Sequence, residues 1–379
     1  MINIEKESVL VEPKDVKPTS AYFNVLGTFN PGAMRLPSGE IILYVRVVEK
    51  IKKEEDEKHY FSPRCSGKDK CDVVIDKFGK KEMESKSEMD FVFKDGTKRL
   101  TYISHFRRVV LDRTGFKVKS IEKTPSFQGL TNDGEYGIED PRITKFGDGY
   151  LMTYVALSNE GNVSTNLAVS NDCLNWERRG IIFRMQNKDV VIFPEKINNH
   201  YVAFNRPEGN FQFSPPKIWI SYSEDLKLWG NSRPVVLSTK GHWDYARVGA
   251  GAPPIKTEKG WLLIYHGVTE HHKKPKGVEE FMKNLIGKSG EEFHTTYSIG
   301  VALFDLNDPG KLIAKSPHPI IFPMKKYERE GFVDNVVFTT GLVKDENGKD
   351  LLFYSGGADR VVTVKKIAFK DVMSSLEKV

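Results

Sequence analysis

The sequence predicts an all-β chain, a five-bladed β-propeller with a central active-site channel, and two observations predict it. Short strand-like pairs recur along the chain, each bounded by Gly, Asp or Pro. Ser170, Asp172 and Trp176 are also echoed at the same spacing by Ser223, Asp225 and Trp229. Irregular cycles of this kind are what blade repeats produce. A single blade cannot bury both of its faces, so blades stack around an axis and share cores.

Taken in order, residues 1–20, with Pro13 and Pro18, read as a lead-in without a strong period. The first unit runs from Phe29 to Val48, a Pro- and Gly-rich turn followed by a β-branched strand. Residues 49–98 turn heavily charged and read as an insertion, an elaborated hairpin or partly mobile flap. The second unit pairs Gly149–Val155 with Asn166–Phe183, and the third pairs His200–Phe204 with Ile218–Gly230. Gly260–Val268 with Tyr297–Gly310 makes the fourth, and Asp350–Arg360 with Val361–Ile367 the fifth. Lys365–Val379 reads as a closing strand and a short amphipathic helix. Residues 1–379 are therefore expected to form one domain, with 49–98 as its charged insertion and 269–296 as a lid loop. Trp176, Trp229 and Trp261 are assigned to packing between blades.

Composition narrows the function classes. Hydrophobic residues make up 39% of 379, enough for a sizeable core, and the mean hydropathy of −0.42 is that of a water-soluble chain. No apolar run is long enough to span a bilayer and no apolar stretch follows the charged N-terminus, so the expectation is a cytoplasmic protein without membrane contact. The net charge of +6 comes from lysines interleaved with glutamates, as in Lys52–Lys58, which argues against nucleic acid as a partner. Cys65, Cys71 and Cys173 match no metal spacing and are read as free thiols. The adjacent His271 and His272 are assigned to a solvated loop, so no metal is expected.

The chemistry centres on Tyr136–Arg142, where Glu139 and Asp140 precede Pro141 and are held in extended backbone outside any helix. An ordinary Glu-Asp-Pro-Arg would merely pair its charges on a surface. Here other polar residues fall at corresponding strand mouths: Asn30 and Arg46, then Arg142, then Lys188, Asp189 and Arg206, then Arg247 and His266, then Tyr297, Asp334 and Asp359. Lys188, Arg206 and Arg247, with His266 and Tyr297, make a cluster suited to a tetrahedral oxyanion. Local pairs such as Lys188 with Asp189, or Arg206 with Glu208, are the structural alternative.

Several stretches together resemble glycoside hydrolase family 130: Glu139–Arg142, Phe193–Asn198, Asn205–Pro207, Gly249–Pro254, Gly260–Val268, Tyr297–Gly300 and Val333–Phe338. The resemblance runs from about Asn30 to Asp359 apart from the charged insertion. It implies a five-bladed propeller acting on β-mannosides, most members being phosphorylases and some hydrolases. It further implies that Asp140 is the general acid, its proton passing through the 3-hydroxyl of the sugar to the glycosidic oxygen. Arg206, His266 and Tyr297 match phosphate ligands; Arg247 stands where a lysine is frequent, and Lys188 near where an arginine is. Asn30, Arg46 and Asp334 match positions that hold the mannosyl unit, and Glu139, Arg142 and Asp359 are grouped with them as substrate-binding candidates.

The expected reaction is inverting, reversible phosphorolysis of a β-1,2- or β-1,4-linked mannoside to α-mannose 1-phosphate and a shortened acceptor. Inversion by water needs a base opposite the acid; phosphate is already an anion and needs a cationic cradle instead. Inorganic phosphate is thus a co-substrate beside a small carbohydrate, and no cofactor is expected. Two alternatives stand beside this reading, an inverting β-mannosidase with Glu195 as base and a non-catalytic sugar-binding propeller. The segment Lys273–His294, with Phe281 and Phe293, is assigned to a lid over the acceptor side. A homo-oligomer is compatible with the sequence.

Overall fold

The computed structural model describes residues 2–184, 186–208, 213–236, 238, 240–272 and 293–379, without the side chains of residues 271, 272, 293 and 294. Residues 273–292 of the lid assignment and the side chains of His271 and His272 lie outside what is described, whereas residues 269–272 and 293–296 are strand where a loop was expected. The chain is all-β, 56% strand and 5% helix. Among the described residues five antiparallel sheets of four or more strands follow one another along the chain.

The first sheet holds Phe23–Arg35, Ile41–Ile51, Tyr102–Leu111 and Val118–Ile121, and the second Gly137–Phe146, Gly149–Ser158, Asn162–Ser170 and Glu177–Phe183. Asn187–Ile192, Tyr201–Pro207, Trp219–Ser223 and Gly230–Pro234 make the third. The fourth is built on Arg247–Ala250, Gly260–His272, Phe293–Phe304 and Leu312–Lys315. In the fifth, Val337–Lys344, Asp350–Gly357 and Val361–Ala368 are completed by Lys6–Val11 from the far end of the chain. The lead-in expected at residues 1–20 is thus partly a strand. Its pattern was hidden because Lys6–Val11 is an outer strand whose first residues are exposed or half-buried.

Each sheet meets the next through its own apolar cluster. Tyr44 and Phe106 pack on Ile143 and Met152 between the first and second sheets, and Leu151 and Ile182 on Ile192 and Ala203 between the second and third. Phe204 meets Trp261 between the third and fourth, and Leu262 meets Val337 between the fourth and fifth. The series returns to its start where Leu352 and Val362 meet Ile41 and Leu43. Trp261 is fully buried, and Trp176 and Trp229 lie edge-on to Tyr44 and tilted over Phe183, so all three pack as expected.

The echoed Ser-x-Asp is a turn device. Ser170 Oγ accepts from the Cys173 amide, and Asp172 Oδ1 from those of Leu174 and Asn175. Ser223 and Asp225 treat Leu226, Lys227 and Leu228 identically, satisfying amides that a tight turn leaves without backbone partners.

Between the second and third strands of the first sheet stand two small sheets, His59–Ser66 with Asp72–Gly79, and Met83–Lys86 with Asp90–Phe93 and Lys98–Leu100. Glu49 to Ile51 belong to the first sheet instead: Glu49 is fully buried, accepts from Thr19 and lies 3.6 Å from Arg107. Its charge was read as insertion composition when it is a paired interior carboxylate. The free-thiol expectation for Cys65 and Cys71 is also corrected. They face each other across the mouth of a hairpin, Cα atoms 5.0 Å apart, and form a disulfide, whereas Cys173 is free and buried.

Candidate active site

The first strands of the first three sheets carry the same irregularity. Register slips between Phe29 and Gly32, between Glu139 and Arg142, and between Lys188 and Val191, each time leaving two residues opposite one. This is a β-bulge, which turns a side chain out of the strand's alternation. The first bulged residue is Asn30, Asp140 or Asp189, with φ of 45°, 51° and 54°. Asn and Asp enter this left-handed region more readily than other non-glycine residues, and here it aims all three side chains at one cavity.

That cavity, of about 240 Å³, is lined by Asn30, Arg46, Glu139, Asp140, Lys188, Asp189, Arg206, Glu208, Arg247, His266, Tyr297, Val336, Phe338 and Asp359. It lies at the rim where the first strands of the sheets begin and the second strands end, as the pairing of Asn187 with Pro207 and of Arg247 with Val268 shows. The insertion after Ile51 leaves from this rim. Among the described residues, larger grooves of about 750, 720 and 570 Å³ lie elsewhere, the last beside Tyr327 and Arg360. The first is set among turns at the opposite rim; the second adjoins the cavity at Arg247.

One wall is acidic. Asp140 Oδ1 accepts from Asn30 Nδ2 at 2.9 Å and Arg46 Nη1 at 3.2 Å, leaving Oδ2 without a partner among the described residues. Arg46 also holds Glu139 at 2.6 Å, and Lys188 reaches the other oxygen of Glu139 at 3.2 Å. Burial alone would raise Glu139, but Arg46 and Lys188 outweigh it and hold the carboxyl below its usual range. Asp359 lies against the same group without an ion pair among the described residues. Burial pushes it up to about 7, with Asp140 and Glu139 adding to the rise and Arg46 opposing it.

The other wall is cationic but internally paired. Asp189 lies 3.2 Å from Arg206 Nε and 3.6 Å from His266 Nε2. Burial would raise Asp189, yet Arg206, His266 and Arg142 together hold it well below the carboxylate range. Burial drives His266 down to about 3, so at neutral pH it is an uncharged imidazole. Its ring lies 4.5 Å from Phe338 and its Nδ1 is buried without a partner among the described residues. Arg247 Nη1 donates to Tyr297 Oη at 2.9 Å. Gly249 is required here, since a Cβ would stand 2.2 Å from Asp189 Oδ2 and 2.3 Å from His266 Cε1.

Three sequence candidates fall outside the lining. Arg142 is buried beneath it, donating to the Asp140 carbonyl at 2.9 Å, Asp189 Oδ1 at 2.8 Å and the Gly251 carbonyl at 3.1 Å. Its donors face protein, so it braces the Asp140 bulge from below. Asp334 is exposed, its Oδ1 accepting the Gly331 amide at 3.0 Å. Glu195, the candidate base, pairs with Lys256 on the surface, with 46% of its side chain exposed and no place in the lining. Val336 and Phe338 were missed, since apolar residues at a strand start carry no chemical signal.

A cavity that joins a partly free carboxyl to a cluster of arginines, on an all-β scaffold, defines a site for a polar, anion-assisted reaction. The family model described as beta-1,4-mannooligosaccharide phosphorylase matches residues 108–378, and the chain belongs to glycoside hydrolase family 130. It is 33% identical over 98% of its length, and 97% of the relative's, to a beta-1,2-mannobiose phosphorylase of Listeria innocua. A 1,2-beta-oligomannan phosphorylase of a Thermoanaerobacter species is 35% identical over 72% of this chain and 81% of that one. Among solved structures, the Listeria innocua enzyme in complex with beta-1,2-mannobiose superposes with a TM-score of 0.81 at 32% identity, covering 97% of this chain and 96% of that one.

Proposed function

We propose that the chain phosphorolyses β-mannosides with inversion, releasing α-mannose 1-phosphate, and that β-1,2-linked manno-oligosaccharides are its substrates. The observation that supports this is that Asp140 shares the lining of one small cavity with Arg206, Arg247, His266 and Tyr297. A phosphate oxygen held by that cradle forms the bond to the anomeric carbon as the bond to the acceptor oxygen breaks, and Asp140 supplies the proton the acceptor takes. Arg46 and Asn30 fix the carboxyl through Oδ1, so that Oδ2 can carry that proton. Hydrolysis would need an unengaged carboxylate opposite Asp140; Asp189 and Glu208 are both held by arginines, and Glu195 is at the surface.

The β-1,2 preference is supported by the two relatives named above. The five sheets are read as blades of a five-bladed propeller, which the return of packing from fifth to first supports. Residues 1–379 then make one domain, with its charged insertion beside the cavity rim.

The test is incubation of purified protein with α-mannose 1-phosphate and mannose, β-1,2-mannobiose, β-1,4-mannobiose, glucose or N-acetylglucosamine, following released phosphate. Phosphate release with a new β-1,2 bond is the expected result. Phosphate-independent cleavage of β-1,2-mannobiose would overturn it.

A further inference from the structure

We infer that Glu208 is a built-in counter-anion that phosphate has to displace, and that this exchange restricts the cradle to doubly charged oxyanions. The inference rests on the phosphorylase reading above. Glu208 Oε2 lies 3.2 Å from Arg206 Nη2 and Oε1 lies 3.1 Å from Arg247 Nε, one oxygen on each guanidinium. Its amide donates to the Gln186 carbonyl at 2.7 Å, which fixes its backbone at the end of Tyr201–Pro207. Its side chain is 17% exposed, toward the cavity it lines. A carboxylate bridging two arginines occupies the place a tetrahedral oxyanion would bridge. The proposed reaction gives it no other task, with Asp140 as acid and phosphate as nucleophile.

Charge balance gives the same result. The cradle side and the floor beneath it hold three permanent cations, Arg142, Arg206 and Arg247, against the carboxylates of Asp189 and Glu208. Two negative charges therefore stand against three positive. Hydrogen phosphate added beside Glu208 would leave an excess of negative charge in a small space. With Glu208 turned out, the two charges of the dianion match the two cations left uncompensated. A monoanion such as nitrate replaces one charge by one and gains little over Glu208. Its return after reaction would also help to expel the sugar phosphate.

Steady-state phosphorolysis of β-1,2-mannobiose at constant ionic strength, in wild type, Glu208→Gln and Glu208→Asp, tests this. Glu208→Gln should lower KM for phosphate about tenfold, the size of one charged hydrogen bond, and make nitrate a competitive inhibitor. Glu208→Asp, with the charge on a shorter arm, should fall between the two. Phosphate should raise the melting temperature of Glu208→Gln more than that of wild type, a response a merely structural role would not give. An unchanged or higher KM for phosphate in both variants, with nitrate still inert, overturns the inference while leaving the phosphorylase reading intact. Phosphate-independent turnover by wild type overturns that reading first, and the displacement with it.

Discussion

The acidic and cationic walls of the cavity are built by opposite rules. On the acidic wall carboxyls outnumber their partners: Arg46 serves both Glu139 and Asp140, and Asp359 has no ion pair among the described residues. On the cationic wall, and in the floor beneath it, cations outnumber carboxylates: Asp189 meets Arg142, Arg206 and His266, and Glu208 meets Arg206 and Arg247. The first arrangement keeps one carboxyl oxygen free to carry a proton; the second holds guanidiniums in place before an anion arrives. Preorganised charge of this kind needs no rearrangement of the walls at the moment of reaction.

The contrast can be broken most severely at Asp140. Asp140→Asn keeps the acceptor for Asn30 but removes the acid, and turnover should fall by roughly 10³-fold, within the range for general acids. Its melting temperature should stay near wild type; retained turnover would remove Asp140 from the role of acid. On the opposite wall, Arg247→Lys keeps the charge and loses the fork that holds Tyr297. KM for phosphate should rise by roughly tenfold with kcat less affected, and equal losses in both would place Arg247 in the transition state instead.

Asp359 sharpens the comparison through pH. Its folded pKa, about 7, is raised above the ordinary carboxyl value. Between those two values the folded chain holds a proton that the unfolded chain has released, so this residue lowers stability progressively as pH rises to about 7, and by a constant amount above. Asp359→Asn should therefore melt higher than wild type at pH 8, with the difference vanishing near pH 4. A difference independent of pH would mean that Asp359 is ionised in the fold. The smallest effect is expected at Glu195: Glu195→Gln should shift stability by no more than about 0.5 kcal/mol, as at other surface sites, and leave phosphorolysis unchanged.

What the sequence made legible follows from where information is local. Asn30-Pro31, Glu139-Asp140-Pro141 and Asn205-Arg206 announce themselves because bulges and strand ends need particular residues. The repeated Ser-x-Asp turns were legible for the same reason. Pairings between distant strands were not. Nothing near Arg142 says that its donors turn inward to Gly251 and Asp189, and nothing in Phe193–Asn198 says that Glu195 faces solvent. Asp334 matches a ligand by motif; in the fold it lies outside the lining and its Oδ1 accepts from the Gly331 amide of its own turn. The Cys65–Cys71 bridge depended on a hairpin whose charged strands gave little alternation to read.

The pairing of Lys6–Val11 with Val361–Ala368 has a kinetic meaning as well. During synthesis the first strand leaves the ribosome more than three hundred residues before its partner exists. Until then the fifth sheet is incomplete, and the interface that joins Leu10 and Val11 to Val362 and Val364 is open. Contacts of such sequence separation form late and slowly. Assembly should accordingly end with a single cooperative joining step, before which Asn30 and Asp359, drawn from the two ends of the chain, have no shared site to occupy.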